Sequence, residues 1–270
     1  MMMDDVTKDL FDFVGGEDSI LRVPGMSDLL TTRRLIRHLQ LDVLVFSEIG
    51  MGMCGYFLSF AARTLARRSI MFWGHGVTSG VAGGIDYFVT SKLYHDSRLQ
   101  LQDVQRSFTE TVWFMDSLTV AFQRPAPTSQ HPFDLARLVG VESGQPHYYL
   151  APTSLFKFHP LMDHSLASIL KQDDKAVIVL VRGATTIWSD RIVERLRLHF
   201  PPGSEHKQAH QRVVVVPAMV RNVYLDFLKS GHVVMLPFPT TSANTVFETI
   251  SVGTPFVSLG GSASYLLQHY

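Results

Sequence analysis

Ala176-Val177-Ile178-Val179-Leu180-Val181 is an unbroken apolar run, and its reading decides the fold. Continuous apolarity, rather than alternation, belongs to strands covered on both faces, which is the habit of parallel sheets. A helical pattern at Trp188–Phe200 follows, and then further strand-like runs at Arg212–Val216, His232–Leu236 and Phe256–Leu259. Helical patterns at Asn222–Ser230 and Ala243–Val252 lie between these runs. Upstream, a run at His147–Leu150 precedes a helical pattern at Leu161–Lys171. Strand–helix repeated four times and closed by a strand predicts a doubly wound α/β domain.

The first half is less regular. Strand-like runs stand at Leu41–Phe46, Ile70–Trp73 and Tyr87–Thr90, with a helix expected over Gly55–Ala66 and a long glycine-bearing loop after Trp73. Residues Gln123 to Gln145 are rich in Pro, Ser, Gln and Gly and carry no sustained apolar period, so they read as a linker. Two α/β lobes are expected, over residues 1–145 and 146–270, with a nucleotide-bearing substrate beyond the carboxyl ends of parallel strands. No repeat of 20–50 residues is visible.

Composition narrows the function classes. Lys and Arg number 24 against 24 Asp and Glu, which argues against bulk binding to nucleic acid or anionic membrane. Charged residues make up 18% and apolar residues 46%, enough to bury a sizeable core and to exclude a disordered chain. The single cysteine, Cys54, cannot close an intramolecular disulfide, and no Cys/His spacing marks a zinc site. The first residues lack a basic stretch followed by an apolar core, so no secretory signal is read. Thr249 to Tyr270 has no charged residue but holds glycines, a proline and several hydroxyl side chains, and reads as a buried strand and turn rather than a membrane span. A soluble, cytoplasmic or nucleocytoplasmic protein is expected, with no metal and no cofactor.

Three segments carry candidate chemistry. In Thr240-Thr241-Ser242-Ala243-Asn244-Thr245-Val246-Phe247-Glu248, small and hydroxyl residues stand where a strand turns into a helix. Backbone N–H groups and the helix dipole at such a turn attract an anion, and Asn244 and Thr245 add donors. Glu248, one turn further on, can accept hydrogen bonds from a ribose diol; an ordinary helix N-cap is the plainer alternative. Lys157, in Ser154-Leu155-Phe156-Lys157, follows the first strand of the second lobe and can reach a diphosphate as a point charge, or be a solvated surface lysine. Trp73-Gly74-His75-Gly76-Val77-Thr78-Ser79-Gly80 lets backbone approach a ligand and offers His75 as a group titrating near neutral pH, or as a structural hydrogen-bonder. There is no Walker loop, no GxSxG elbow and no HExxH.

These same residues resemble a known family. Trp73 to Gly80 followed by Ile85-Asp86-Tyr87-Phe88 is similar to the "WGHPVTSG…IDYF" signature of the O-GlcNAc transferase / SPINDLY-like glycosyltransferases. Pro152–Pro160, then Pro237-Phe238-Pro239 with Asn244, Thr245 and Glu248, then Gly253–Leu259, resemble three further family segments in the same order. Leu236 stands where the family usually has Asp, Gly76 where it has Pro, and Thr241-Ser242 where it has glycines.

The resemblance implies a GT-B-like architecture of two Rossmann-like lobes with parallel sheets, the N-terminal lobe partial, as in a fragment or reduced paralogue of the catalytic region. It implies an inverting, metal-independent transfer of GlcNAc from UDP-GlcNAc to Ser/Thr of a polypeptide acceptor. Lys157 and His75 would be catalytic, and Ser154, Lys157, Asn244, Thr245, Glu248, Thr78 and Ser79 would bind substrate. Tetratricopeptide repeats, which many members use to recruit substrates, would be supplied elsewhere. The same fold with GDP-fucose or UDP-glucose, or a silent nucleotide-sugar-binding fragment, stands as the alternative.

Overall fold

The structure is a computed structural model that describes residues 20–47, 53–73, 78–95, 100–120, 133–140, 144–183, 185–239 and 241–259, with isolated positions 13, 15 and 49. The chain divides into two compact units, 1–120 with 262–270, and 121–261.

In the first unit, helix α1 (Leu29–His38) leads into strand β1 (Leu41–Phe46). Helices α2 (Met53–Ser59) and α3 (Ala62–Leu65), strand β2 (Ala66–Phe72), strand β3 (Tyr87–Ser91), helix α4 (Leu101–Gln105) and strand β4 (Thr111–Met115) follow. The strands form a four-stranded parallel sheet in the order β1-β2-β3-β4. Phe46, Met71, Phe88, Val112 and Phe114 pack with Leu29 and Ile36 of α1, Leu58 of α2, Leu65 of α3 and Val104 of α4, so the helices share one face. Side chains alternating to the other face include Val45 at 54% and Trp113 at 64% exposure. The helix expected over Gly55–Ala66 is broken in two: the Ser59 hydroxyl bonds back to Tyr56 O at 2.6 Å, and by Ala66 the chain is already extended.

The second unit runs α5 (Leu135–Val139), β5 (His147–Ala151), α6 (Leu161–Gln172), β6 (Ala176–Val181) and α7 (Ile187–Arg197). It continues with β7 (Val213–Val216), α8 (Arg221–Ser230), β8 (Val233–Met235), α9 (Ala243–Val252) and β9 (Phe256–Val257). All ladders are parallel and the order is β7-β6-β5-β8-β9, which makes this the doubly wound domain expected from the sequence. Two cores flank this sheet. One holds Leu166, Leu170, Ile178, Leu180, Ile192 and Leu196, and the other Leu150, Val179, Leu225, Phe227, Leu228 and Val234. Helix α5 falls inside the stretch expected as a linker. Asp134 caps it by accepting from Arg137 N at 2.9 Å, and Leu135 and Val139 are buried in the second core.

Candidate functional site

The strand order of the second sheet reverses between β5 and β8, and ligands of doubly wound folds gather beyond the carboxyl ends of the strands at that point. Both strands deliver candidate residues there. From β5 the chain passes Ser154 into a single 3-10 turn, Leu155–Lys157. From β8 it passes through residues 236–242 into α9. The two arms meet: Lys157 Nζ donates to Thr241 O at 3.2 Å across 84 residues of sequence. Burial lowers the Lys157 pKa, since a half-buried ammonium loses hydration, yet the group keeps further N–H donors to offer. Ser154 is exposed, and its carbonyl accepts from Lys157 N at 3.0 Å to close the turn.

At the start of α9, Ser242 makes no side-chain bond to the helix backbone; its hydroxyl lies 3.1 Å from Thr245 Oγ1. The plain N-cap is therefore not what occupies this residue. Asn244 is exposed and Thr245 buried. Glu248, one turn along, is 18% exposed at its side chain and has Arg221 Nη1 at 3.9 Å from Oε1. Burial raises the Glu248 pKa, and the Arg221 charge partly offsets it.

Further side chains surround these residues, and of them sequence reasoning missed Asp163, Arg195 and Arg221. Tyr224 of α8 is pushed up to about 12 by burial, with the Glu248 charge adding and a hydrogen bond with Thr245 opposing. Asp163 of α6 is buried at 4% exposure. Arg195 of α7 grips it with Nε to Oδ2 at 2.8 Å and Nη2 to Oδ1 at 2.9 Å. The same Nη2 donates to Phe158 O at 2.9 Å, one residue past Lys157. Only Arg221, opening a helix after a strand, carried a sequence signal of position.

In the first unit, Trp73 has φ +46° and stacks on Tyr94 at 5.1 Å. Gly74, His75, Gly76 and Val77 lie outside the described residues. Thr78 and Ser79, expected to bind substrate, turn inward onto Glu110, which is 2% exposed. Thr78 Oγ1 donates to Oε2 at 2.7 Å, Ser79 N to Oε1 at 2.8 Å, and the Ser79 hydroxyl also reaches Oε1. Thr109 Oγ1 adds a fourth bond at 3.1 Å. Burial pushes the Glu110 pKa up, but the bonds from Ser79 and Thr78 outweigh it and hold the carboxyl below the usual glutamate range. Because Thr111 opens β4, this cluster stands at the amino end of that strand, away from the carboxyl ends where a ligand is expected. The hydroxyls of Thr78 and Ser79 thus tie their own loop to Glu110.

Among the described residues, no group of three or more His, Cys, Asp or Glu is placed to hold a metal ion. No helix among them is long and apolar enough to cross a membrane.

No protein-family model and no curated protein matches the chain by sequence. Solved structures do match. A lysine-to-methionine mutant of the Thermobaculum terrenum O-GlcNAc transferase superposes with TM-score 0.68 at 20% identity, over 99% of this chain and 48% of that one. The chain carries the GT-B fold. An E. coli trehalose-6-phosphate protein bound with UDP-2-fluoro glucose matches this fold with TM-score 0.51 at 12% identity, over 98% of this chain and 70% of its own. A trehalose-6-phosphate synthase studied for glycosyltransfer with retention gives 0.50 at 13%, over 97% and 70%. The chain thus spans about half the length of the O-GlcNAc transferase it matches.

Proposed function

We propose that the chain handles the donor in a glycosyltransferase of the O-GlcNAc transferase type, moving GlcNAc from UDP-GlcNAc to a Ser or Thr hydroxyl of a polypeptide. The observation that carries this is the meeting of Lys157 with the entry to α9, Nζ to Thr241 O at 3.2 Å, at the switch point of a GT-B sheet. A diphosphate entering there would replace the carbonyl as the ammonium's partner, with Asn244 and the first N–H groups of α9 as further donors. Glu248 would accept from the ribose hydroxyls. In the reaction, the acceptor oxygen forms a bond to the sugar's anomeric carbon while the bond to the diphosphate breaks. The electron pair departs with the terminal phosphate oxygen, and Lys157 and the helix N-terminus stabilise that charge. The hydroxyl proton leaves to a base, for which the sequence offers His75.

Calorimetric titration with UDP, UDP-GlcNAc, UDP-glucose and GDP-fucose tests the donor. UDP-GlcNAc is expected to bind and Lys157→Ala to weaken it by more than tenfold, since charge-assisted bonds are worth roughly 1.5–3 kcal/mol. Preference for GDP-fucose or UDP-glucose would move the donor assignment within the same fold. Binding without transfer to a Ser/Thr peptide would mark a silent binding module. The trehalose-6-phosphate synthase transfers with retention, so NMR of the product anomer tests inversion directly. Failure to bind any sugar nucleotide would refute the proposal.

A further inference from the structure

We propose that Asp163 and Arg195 are a positioning pair that sets where Lys157 stands; this rests on reading Lys157 as the diphosphate ligand. The turn bearing Lys157 closes on itself, with Lys157 N donating to Ser154 O, Phe158 N to Leu155 O and His159 N to Lys157 O. Such bonds shape the turn but do not place it against the sheet. Two things do. Leu155 and Phe158 are sunk into the core at 3% exposure each, and the Phe158 carbonyl is held by Arg195.

The guanidinium is itself fixed. Its bidentate fork on Asp163 leaves the plane of the group no freedom, so the remaining donor direction of Nη2 is determined, and with it the place of Phe158 O. Asp163 lies in the first turn of α6 and Arg195 in the last turn of α7. Two helices are thereby registered against the backbone one residue beyond the lysine.

Stability alone does not account for the pair. Leu166, Ala167, Leu170, Ile192 and Leu196 already bury the interface of α6 and α7 with the sheet. Replacing a buried ion pair by apolar residues of similar volume is often neutral or stabilising, because desolvation offsets the attraction. What an apolar pair cannot do is donate to Phe158 O. A lysine at 195 would also fall short, since one ammonium cannot grip the carboxylate by two parallel bonds while keeping a third in a fixed direction.

The test is calorimetric titration of the full chain with UDP, for wild type, K157A, R195K, the apolar pair D163L/R195M, and each of the last two combined with K157A. We expect R195K and D163L/R195M to weaken UDP about fivefold or more in the wild-type background and by less than twofold once Lys157 is absent. D163L/R195M is also expected to melt within a few degrees of wild type, which separates positioning from folding. Weakening of equal size with and without Lys157, or UDP affinity within twofold of wild type in R195K, overturns the inference while leaving the donor reading intact. A D163L/R195M chain that no longer folds overturns it too, because the pair would then be structural. Absence of UDP binding by wild type overturns the donor reading, and this inference with it.

Discussion

Glu110→Gln should destabilise the first unit by about 2–4 kcal/mol, and the number follows from the geometry. Oε1 accepts from Ser79 N and the Ser79 hydroxyl, and Oε2 from the hydroxyls of Thr78 and Thr109. A glutamine must present an amide NH2 to one of those two sides. Facing Ser79, it meets a backbone N–H that cannot turn away. Facing Thr78, it meets a hydroxyl whose oxygen already accepts from Gly80 N at 3.1 Å and Thr109 N at 3.1 Å, so that its proton must leave the carboxamide for Thr109 Oγ1 at 3.0 Å. The first orientation sets donor against donor in a buried place, the second gives up the hydroxyl bonds to Oε2, and both remove the charge that strengthened the surviving bonds. Hydrogen bonds to charged groups are worth about 1.5–3 kcal/mol each, and the rotatable hydroxyls of Ser79 and Thr109 recover part of the loss.

The assay is denaturant unfolding followed by tryptophan fluorescence in a Trp188→Phe background, where only Trp73 and Trp113, both in the first unit, report. The pH dependence has a definite sign. Glu110 is held below its ordinary value of 4.5, so its contribution is complete above that pH and is lost as pH falls through the lowered folded value. The gap between wild type and variant should therefore narrow on acidification. A variant within about 0.5 kcal/mol of wild type at neutral pH, below the loss of even one such bond, or a gap that widens in acid, would refute the reasoning.

Other perturbations have equally definite outcomes. Gly231→Ala places a Cβ 2.4 Å from Leu150 Cδ1, and Leu150 is fully buried, so overpacking should cost about 1–3 kcal/mol in a melt of the second unit. Arg221→Ala removes the cation that opposes burial at Glu248, so the acid-side fall in UDP affinity should move to higher pH than in wild type; titrations across pH that show a shift the other way would remove Arg221 from the site. Glu248→Gln keeps one acceptor for the ribose and should weaken UDP less than Lys157→Ala does, by calorimetry. Phe227→Ala empties a site of 0% exposure in the second core and should cost about 3–5 kcal/mol in denaturant unfolding.

The second unit was legible because its strands are covered on both faces. Ala176–Val181 is almost wholly buried, and no other element writes so long an apolar run. Helix α9 lay open at both ends, with Ser242 before it and Gly253 in the left-handed region, φ +81°, after it. Thr111–Met115 was not read as a strand: β4 is a five-residue sheet edge whose outer side chains, Thr111 and Trp113, are exposed, and its apolar run is only four residues, Val112–Met115. Five-residue α5 is too short to show a helical period and was absorbed into the supposed linker. For the site, strand ends could be read, so Lys157, Asn244, Thr245 and Glu248 could be named. Their supports could not: Arg195 reaches Asp163 across 32 residues, and Thr78 reaches Glu110 across 32, with nothing local to mark either pair.

The order of the second sheet has a consequence for when the site exists. Strand β5 shares a five-residue register with β6 but only Tyr149↔Val233 and Leu150↔Val234 with β8. The half of the site built on β8 and α9 is thus joined to the half built on β5 by a short ladder closed over some eighty residues of chain, a slow and costly closure to make. Strands β8 and β9 with α9 are consequently the part of this sheet poised to open first and close last. On the proposed function, a donor bridging Lys157 and α9 would bind only the closed form and so act as a staple across that seam. Amide exchange in β8, β9 and α9 should slow when UDP is added while that in β6 stays as it was, which makes occupancy of the site readable without following transfer.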